Sequence, residues 1–313
     1  MIVNIYFNIQ YVHEAETSND SSSNVSLNEV LSQQLKNVRY SRAGSTMNNY
    51  TTAISRLNTF LDKDISIDQL DANLLCGFER WLQKRGVCMN TISCYMRSLR
   101  ALLSAYDKRF CDAFSKVYTG KARTEKRSVP TEVIVQLKKL QLPSGTFLEL
   151  ARDVFVFSFY AMGMPFVDVA HLLQSQLTGN VLVYCRQKTG QRIQVAIEPP
   201  MEEIINRHRG KTKADFLFPL LHEDTEHEYQ ILLGRYNRAL HRLASMAGIN
   251  VKLTSYVVRH TWASTAYKAN IDLPVISKAL GHTNPQTTLT YIREIDDQRL
   301  AQANRSIIEL IRQ

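Results

Sequence analysis

The sequence predicts a mainly α (α+β) protein with an N-terminal helical bundle and a second, mixed helical domain that carries a small β-hairpin or sheet. Three observations predict this class. Apolar residues recur at helical spacing along most of the chain. Two strand-like runs flank a Lys-Thr-Gly turn within residues 181–197. The length of 313 residues is sufficient for two hydrophobic cores.

The N-terminal part of the chain predicts an arm followed by a bundle. Residues 1–25 contain acidic residues but no Lys or Arg, and they end in a Ser/Asn-rich stretch. We therefore expect a flexible or peripheral arm there. Ser26 and Glu29 have the spacing of a capping box, and Asp71 is placed to cap a later helix. Each predicted helix has one apolar face, which indicates a compact bundle over residues 26–111. These helices span about 26–36, 46–61, 71–86 and 90–106.

A polar, basic linker is predicted over residues 112–127, and a second domain over 128–313. Pro130 suits the start of a helix. Residues 147–161 are almost wholly apolar, so we expect this helix to be central to the core. The other predicted helices span about 132–140, 200–208, 226–246, 256–268, 273–280, 285–291 and 296–312.

The charge distribution favours a polyanionic partner. The formal net charge is +9, and residues 97–127 hold nine Lys or Arg against three acidic residues. Arg97 and Arg100 lie three apart on the polar face of a predicted helix, where a solvated face and phosphate contact remain equally good interpretations. The candidate DNA-contacting residues are Arg97, Arg100, Lys121, Arg123, Lys126 and Arg127.

Several protein classes are disfavoured. No apolar run approaches the roughly 20 residues that span a bilayer. The N-terminus lacks the features of a secretory signal. The five cysteines form no CxxC pair, and the chain has no HExxH motif or paired-carboxylate motif. We therefore expect a cytoplasmic, nucleoid-associated protein with no metal and no cofactor.

The most informative motif is Arg259-His260, followed by Gly281-His282 and then by Thr-Thr-x-x-Tyr291. A phosphodiester resists attack because both it and its nucleophile are anionic, and fixed cations can relieve that repulsion without a metal. Each residue alone has an ordinary interpretation: a packed tyrosine, a histidine at a helix end, an arginine in an ion pair. Their order and spacing instead indicate a phosphate clamp beside a tyrosine nucleophile.

Residues from about 26 to 313 resemble the tyrosine recombinase (phage integrase-like) family, in its mobile-element integrase branch. The resemblance implies a SAM-like core DNA-binding domain over 26–111 and a catalytic domain over 128–313. It implies that Tyr291 forms a 3′-phosphotyrosine bond and that Arg259 binds the non-bridging phosphate oxygens. Lys188, on the hairpin turn, would protonate the leaving 5′ oxygen. His282 would hydrogen-bond the phosphate, while His260 and Asp168 would support the pocket.

Two positions depart from the family pattern. Tyr256 stands where the family often has histidine, which leaves the general base open. Met162 occupies the position of the expected first catalytic arginine, before Gly-Met-x-Phe-x-Asp168. A thioether cannot clamp phosphate, and losing one clamp typically costs on the order of 3 kcal/mol in the transition state. Arg152 lies roughly 15 Å away along the helix, and Arg192 on the hairpin is a substitute that we do not favour.

These observations predict a site-specific recombinase, an integrase or invertase, that is weakened by Met162, disabled by it, or equipped with a relocated arginine. The alternative is a catalytically impaired DNA-binding regulator or decoy at recombination sites. A metal-dependent nuclease is a third option that we disfavour. The expected partners are double-stranded DNA with inverted-repeat sites and further copies of the chain, as dimers and tetramers on DNA. An apolar stripe over 298–313 would pack on a neighbouring protomer in preference to its own core.

Overall fold

The computed structural model describes residues 25–39, 44–123, 127–212, 215–282, 284, 286–291, 304–305 and 307–309. Residues 1–24 of the predicted N-terminal arm, Lys126 and most of the apolar stripe over 298–313 lie outside these residues. The chain divides into two compact units, residues 1–123 and 124–313. No helix among the described residues is long and apolar enough to cross a membrane.

The N-terminal unit is a helical bundle, as predicted. Four apolar side chains of the helix over residues 89–106, Ile92, Met96, Leu99 and Leu103, are fully buried, and this helix packs against the two that begin the unit. The helices are α1 (Leu27–Val38), α2 (Gly44–Leu61), α3 (Ala72–Lys84), α4 (Met89–Tyr106) and α5 (Phe110–Ala113), with 3₁₀ turns at Ile67–Gln69 and Phe114–Lys116.

The predicted helix caps are present, with one correction. Asp71 accepts from the Leu74 amide at 2.7 Å, and Ser26 accepts from the Glu29 amide at 3.1 Å. The return bond from Glu29 that would complete a capping box is not among the described contacts. Instead the Ser26 hydroxyl donates to Asp64, whose second oxygen accepts from a backbone amide of α1. The second acceptor at this helix start therefore comes from a loop distant in sequence.

The chain that leaves the bundle is pinned to α4. The Ser93 hydroxyl donates to the Gly120 carbonyl at 2.6 Å. The Asn90 side chain bonds both the amide and the carbonyl of Ala122, at 2.8 and 3.0 Å. Since Asn90, Ser93 and Arg97 share one face of α4, the basic residues near the end of the unit lie beside the N-terminal half of that helix.

The C-terminal unit combines helices with a three-stranded antiparallel sheet of order β1-β2-β3. The strands are β1 (Leu177–Thr178), β2 (Val181–Cys185) and β3 (Arg192–Ala196). The predicted hairpin is confirmed as β2 and β3, in which Cys185 pairs with Arg192 next to the turn. The helices are α6 (Thr131–Lys139), α7 (Phe147–Tyr160), α8 (Phe166–Ala170), α9 (Pro199–His208), α10 (Glu226–Met246), α11 (Val257–Lys268), α12 (Leu273–Ala279) and α13 (Gln286–Leu289).

Helix α7 lies at the centre of this unit, as its apolar sequence predicts. Phe155 and Phe157 are fully buried, and α7 packs against α6, α9, α10 and α11. A smaller apolar cluster forms where α11 and α12 meet the second residue after α13. That residue is Tyr291, so the predicted nucleophile is held by a small core of its own.

Candidate active site

Helix α11 carries Arg259 into the interior of the C-terminal unit. Its neighbours Val257 and Val258 are buried against the main core, and Arg259 itself is only 3% exposed. One guanidinium nitrogen, Nη1, donates to the Gly163 carbonyl at 3.1 Å, and Nη2 donates to the Leu280 carbonyl. Burial, and then the nearby guanidinium of Arg186, lower the pKa of Arg259. A cation is thus buried against carbonyl groups.

The loop before α8 approaches α11 so closely that it requires glycine. Gly163 has φ +69°, and a Cβ there would lie 3.1 Å from the Arg259 Cα. Met162 precedes it with φ +58°, which is uncommon for a residue with a side chain. The Met162 side chain is half-buried and packs against the main core. The expected arginine position is therefore occupied by a core-packed thioether.

His282 follows a second glycine turn and contacts Arg259. Its Nε2 lies 3.1 Å from Arg259 Nη2, and its Nδ1 lies 2.8 Å from the Thr288 hydroxyl. Because a guanidinium only donates, Nε2 accepts and Nδ1 carries the proton in this state. Burial, followed by the charges of Arg259, Arg186 and Lys188, lowers the pKa of His282 to about 4. The imidazole is therefore neutral near pH 7.

Tyr291 is 8% exposed, and its ring contacts two imidazole rings. Its ring centroid is 4.5 Å from that of His260 and 5.3 Å from that of His282. The Arg259 guanidinium carbon lies 5.6 Å from the same centroid. Ser264 on α11 donates to the Tyr291 carbonyl at 3.0 Å, which fixes the backbone there. The structure thus brings together the tyrosine, the arginine and both histidines of the sequence motif.

Tyr256, at the start of α11, joins the same group. Its ring lies 5.7 Å from that of His260. Burial, followed by its interaction with Tyr291, raises the pKa of Tyr256 to about 12. This phenol is therefore protonated near neutral pH.

Asp168 contacts Arg186, a buried arginine that the sequence analysis did not name as a site residue. Its Oδ1 accepts from the Gln187 amide at 2.9 Å, and its Oδ2 lies 3.4 Å from Arg186 Nε. Burial raises the pKa of Asp168, and the Gln187 amide, Arg186 and Arg259 oppose that rise. Arg186 directly follows β2 and is buried. Its Nη1 donates to the carbonyls of Leu280 and Gly281, at 2.9 and 3.0 Å.

A sequence signal for Arg186 did exist. Leu182 and Tyr184 on β2 are buried, so the alternation of the strand points position 186 inward as well. A charged residue at an inward position is unusual and indicates a partner. The adjacent turn is tight, since the Gly190 amide donates to the Arg186 carbonyl at 2.8 Å.

The other candidate cations lie outside this group. Lys188 is exposed on the hairpin turn, near enough for its charge to lower the pKa of His282. Arg192 is exposed on β3. Arg152 bonds Asp153 and the Leu140 carbonyl, at 2.9 and 2.6 Å, so it is held elsewhere. Among the described residues, no group of three His, Cys, Asp or Glu is arranged to hold a metal ion.

The candidate DNA-contacting residues that the structure describes are all exposed. In the N-terminal unit Arg97 lies on the face of α4 where the departing chain is pinned, and its Nε donates to the Ser93 carbonyl at 3.2 Å. The exposed members of the set are Arg97, Arg100, Lys121 and Arg123 in the N-terminal unit and Arg127 in the C-terminal unit.

Two family models match the chain. Residues 26–117 match the phage integrase SAM-like domain, and residues 149–298 match the phage integrase family. A tyrosine recombinase XerC from Syntrophus aciditrophicus (strain SB) is 24% identical over 271 residues, which cover 79% of this chain and 86% of the relative. The integrase of Staphylococcus phage L54a is 36% identical over 72 residues, which cover 22% of this chain and 20% of the phage protein.

Solved structures share the fold. The Tn1549 transposon integrase, in complex with a circular intermediate DNA, superposes with a TM-score of 0.68 at 16% identity, covering 91% of this chain and 100% of the other. A lambda integrase tetramer bound to a Holliday junction has a TM-score of 0.65 at 14% identity, covering 88% of this chain and 81% of the other. With the two matching models and the converged motif residues, the chain belongs to the tyrosine recombinase (phage integrase) family, whose enzymes break and rejoin DNA.

Proposed function

We propose that this chain is a site-specific DNA recombinase, an integrase or invertase, that cleaves and rejoins strands through a 3′-phosphotyrosine intermediate at Tyr291. The single observation that carries this proposal is the packing of the Tyr291 ring against both His260 and His282, with the Arg259 guanidinium carbon 5.6 Å from its ring centroid. A nucleophile and a buried cation in one pocket suit phosphoryl transfer without a metal.

In the proposed reaction the Tyr291 phenol loses its proton to solvent water, and its oxygen attacks the scissile phosphorus as the bond to the 5′ oxygen breaks. Lys188 gives a proton to that leaving oxygen. Arg259 neutralises the non-bridging oxygens, and His282, which gains a proton on Nε2 when the phosphate anion is bound, donates to one of them. Tyr256, whose pKa is raised to about 12 by burial and by its interaction with Tyr291, stays protonated and hydrogen-bonds Tyr291. In the reverse step a 5′-hydroxyl attacks the phosphotyrosine bond, so rejoining requires no ATP.

The proposed substrate is duplex DNA with inverted-repeat sites, in the nucleoid of the cytoplasm. Exposed basic residues of both units would bind phosphates and position the duplex. Related structures are described as a lambda integrase dimer bound to a core site and as a tetramer bound to a Holliday junction. We extend that arrangement to this chain as dimers and tetramers on DNA, with residues 298–313 packing on a neighbouring copy.

A second candidate function follows from Met162. An uncharged residue at this position favours a DNA-binding regulator or decoy that occupies recombination sites without cleaving them. The burial of Arg259 and the placement of His282 and Tyr291 support the enzyme instead, because a decoy has no need for a buried cation beside a tyrosine.

The test uses a duplex enriched from a randomised pool by repeated binding to the full chain. A set of such duplexes, each nicked at a different position, lets the short 5′-hydroxyl fragment diffuse away and traps a covalent adduct. We expect an adduct with the wild-type chain that is lost with Tyr291→Phe and retained with Tyr160→Phe, a control at a half-buried tyrosine of α7.

The same assay separates the alternatives. Tight binding by the wild-type chain without any adduct would establish the decoy and reject the enzyme. Cleavage that stops when EDTA is added would indicate a metal-dependent nuclease, whereas the proposed reaction is insensitive to EDTA.

A further inference from the structure

We propose that Arg186 supplies the second guanidinium of the phosphate clamp, in place of the arginine that Met162 replaces. This inference rests on the proposed function. Arg186 lies on the end of β2, not on the loop before α8, so the two positions are distant in sequence. It is 8% exposed and contacts the loop that carries His282.

Two guanidinium groups converge on one oxygen atom. Arg186 Nη1 and Arg259 Nη2 both donate to the carbonyl oxygen of Leu280. The two guanidinium groups are therefore adjacent, and one acceptor oxygen can be held by both. A non-bridging phosphate oxygen is an acceptor of the same kind with a full negative charge, and guanidinium forks bind it well.

The positive charges of the two arginines outnumber the negative charges beside them. The described hydrogen bonds of Arg259 go to two carbonyl oxygens, an uncharged His282 and the Tyr291 side chain, and none goes to a carboxylate. Asp168 is the carboxylate that contacts Arg186 among the described residues. Two buried guanidinium groups with one carboxylate repel each other at a cost that a bound anion would relieve. The pocket is therefore poised to bind an anion.

The contacts of Arg186 also fix the orientation of its guanidinium group. Asp168 bonds Arg186 through Nε, and Nη1 is used by the two carbonyls. Within the described part of the chain, no hydrogen bond uses Arg186 Nη2. Asp168 thus acts as a positioning residue that fixes the plane of the guanidinium, and it leaves one nitrogen for phosphate. The tight contact at Gly281, where a Cβ would lie 2.7 Å from Arg186 Cδ, restrains the side chain further.

A merely structural role for Arg186 is the competing explanation. In that case Arg186 would only brace the 280–282 loop, and its loss would affect every substrate equally. A substrate with a methylphosphonate at the scissile position distinguishes the two, because replacing one non-bridging oxygen by methyl removes the negative charge that a clamp neutralises. A clamping arginine then becomes dispensable, whereas a brace does not.

The experiment compares Arg186→Ala with the wild-type chain on the nicked duplex, with either a phosphodiester or a methylphosphonate at the scissile position. On the phosphodiester we expect adduct formation to fall by about 100-fold or more. On the methylphosphonate we expect the variant to react within about threefold of the wild-type chain. Arg152→Ala is the matched control, since Arg152 is also buried and paired with a buried aspartate; its ratio between the two substrates should equal that of the wild-type chain.

A paired variant, Arg186→Met with Asp168→Asn, repeats the test without leaving a buried charge unpaired. Melting temperature and duplex binding identify the folded variants. Equal losses on both substrates in a folded variant, or no loss on the phosphodiester, would overturn the role of Arg186 and leave the proposed function standing. A wild-type chain that forms no Tyr291-dependent adduct would instead overturn the proposed function.

Discussion

Two clusters of arginines around a buried aspartate in the C-terminal unit differ in what their arginines contact. In the Asp153 cluster (Arg152, Asp153, Arg207 and His208), the carboxylate accepts from all three neighbours, at 2.9, 2.7 and 2.8 Å. In the clamp cluster (Asp168, Arg186, Arg259 and His282), the described hydrogen bonds of Arg259 go to carbonyl oxygens, His282 and Tyr291, and none goes to a carboxylate. Each cluster holds two guanidinium groups and one aspartate, but the Arg207 side chain is 39% exposed, so water solvates its charge, whereas Arg186 and Arg259 are both buried and leave positive charge for a ligand.

The two carboxylates record this difference in their pKa values. Burial by itself raises the pKa of either group. In Asp153 the bonds from His208, Arg207 and Arg152 outweigh burial, and its pKa lies below the ordinary value. In Asp168 burial prevails over the Gln187 amide and the two arginines, and its pKa lies above the ordinary value. The same residue types therefore stabilise the fold in one place and prepare a binding site in the other.

The largest expected effect is the loss of DNA cleavage in the Arg259→Met variant. We expect adduct formation to fall by about 1000-fold, because the buried cation that stabilises the transition state is gone. The free energy of unfolding should change by less than about 1 kcal/mol, because lost hydrogen bonds are offset by relief of desolvation and of repulsion from Arg186. The suicide-duplex assay and urea denaturation measure the two quantities. Severe destabilisation with retained cleavage would reverse the assigned roles of the clusters.

Asp153→Asn should have the opposite profile. Removing this carboxylate leaves buried donors without their partner, so we expect the free energy of unfolding at pH 7 to fall by about 3 kcal/mol. Cleavage per folded molecule should stay near the wild-type value. Urea denaturation on both proteins checks the first statement, and a large loss of cleavage in the folded variant would contradict the second.

The pH dependence of that difference follows from the lowered pKa of Asp153. A depressed folded-state pKa contributes stability that is present above the unfolded pKa and is lost as pH falls through the folded pKa. The difference in the free energy of unfolding between the wild-type chain and Asp153→Asn should therefore become smaller as pH falls below about 4. A gap that stays constant down to acid unfolding would show that Asp153 is not the titrating group.

His282 offers a test of the clamp cluster in the free protein. NMR titration of its imidazole should give a pKa of about 4, depressed by burial and by the charges of Arg259, Arg186 and Lys188. Because the folded-state pKa is lowered, His282 makes the fold less stable as pH falls through the unfolded value toward the folded one. His282→Gln should remove that part of the acid sensitivity. An ordinary histidine pKa would mean that the arginines do not approach the ring.

Binding of duplex DNA should shift the pKa of His282 in the opposite direction. Duplex binding should raise the pKa of His282, because a phosphate anion beside the ring favours its protonated form. A duplex-bound pKa equal to that of the free protein would place the phosphate elsewhere.

The smallest expected effect is that of Met162→Arg. From the sequence alone, restoring an arginine at this position should raise cleavage sharply. With Arg186 already in the clamp, we expect a change of less than about threefold. A rate increase of about 100-fold in the suicide-duplex assay would contradict the role of Arg186 and establish that Met162 impairs the natural chain.

Much of the fold could be predicted from local patterns. The sequence bounds of α10 agree with the structure, and the apolar run of residues 147–161 indicated the central helix α7. The short range of helix periodicity and turn chemistry explains this success. The Asp64 contact to Ser26 could not be predicted, since it joins α1 to a loop that no local pattern connects to it.

The site was predictable in its members and not in its geometry. The motif spacing correctly indicated that Arg259, His282 and Tyr291 meet. The convergence of two arginines on the Leu280 carbonyl depends on tertiary packing of β2 against the 280–282 loop, which spacing does not encode. The sequence motif does not include Arg186, which lies at the inward-facing position directly after β2.

The most direct test of the central claim is to locate the covalent bond. The adduct from the suicide duplex is digested with nucleases and a protease, and the peptide that carries the residual nucleotide is sequenced by mass spectrometry. We predict a single modified residue, Tyr291, linked through its phenolic oxygen to a 3′-phosphate. A nucleotide attached to Tyr256 or to any other residue, or linkage to a 5′-phosphate, would contradict the account.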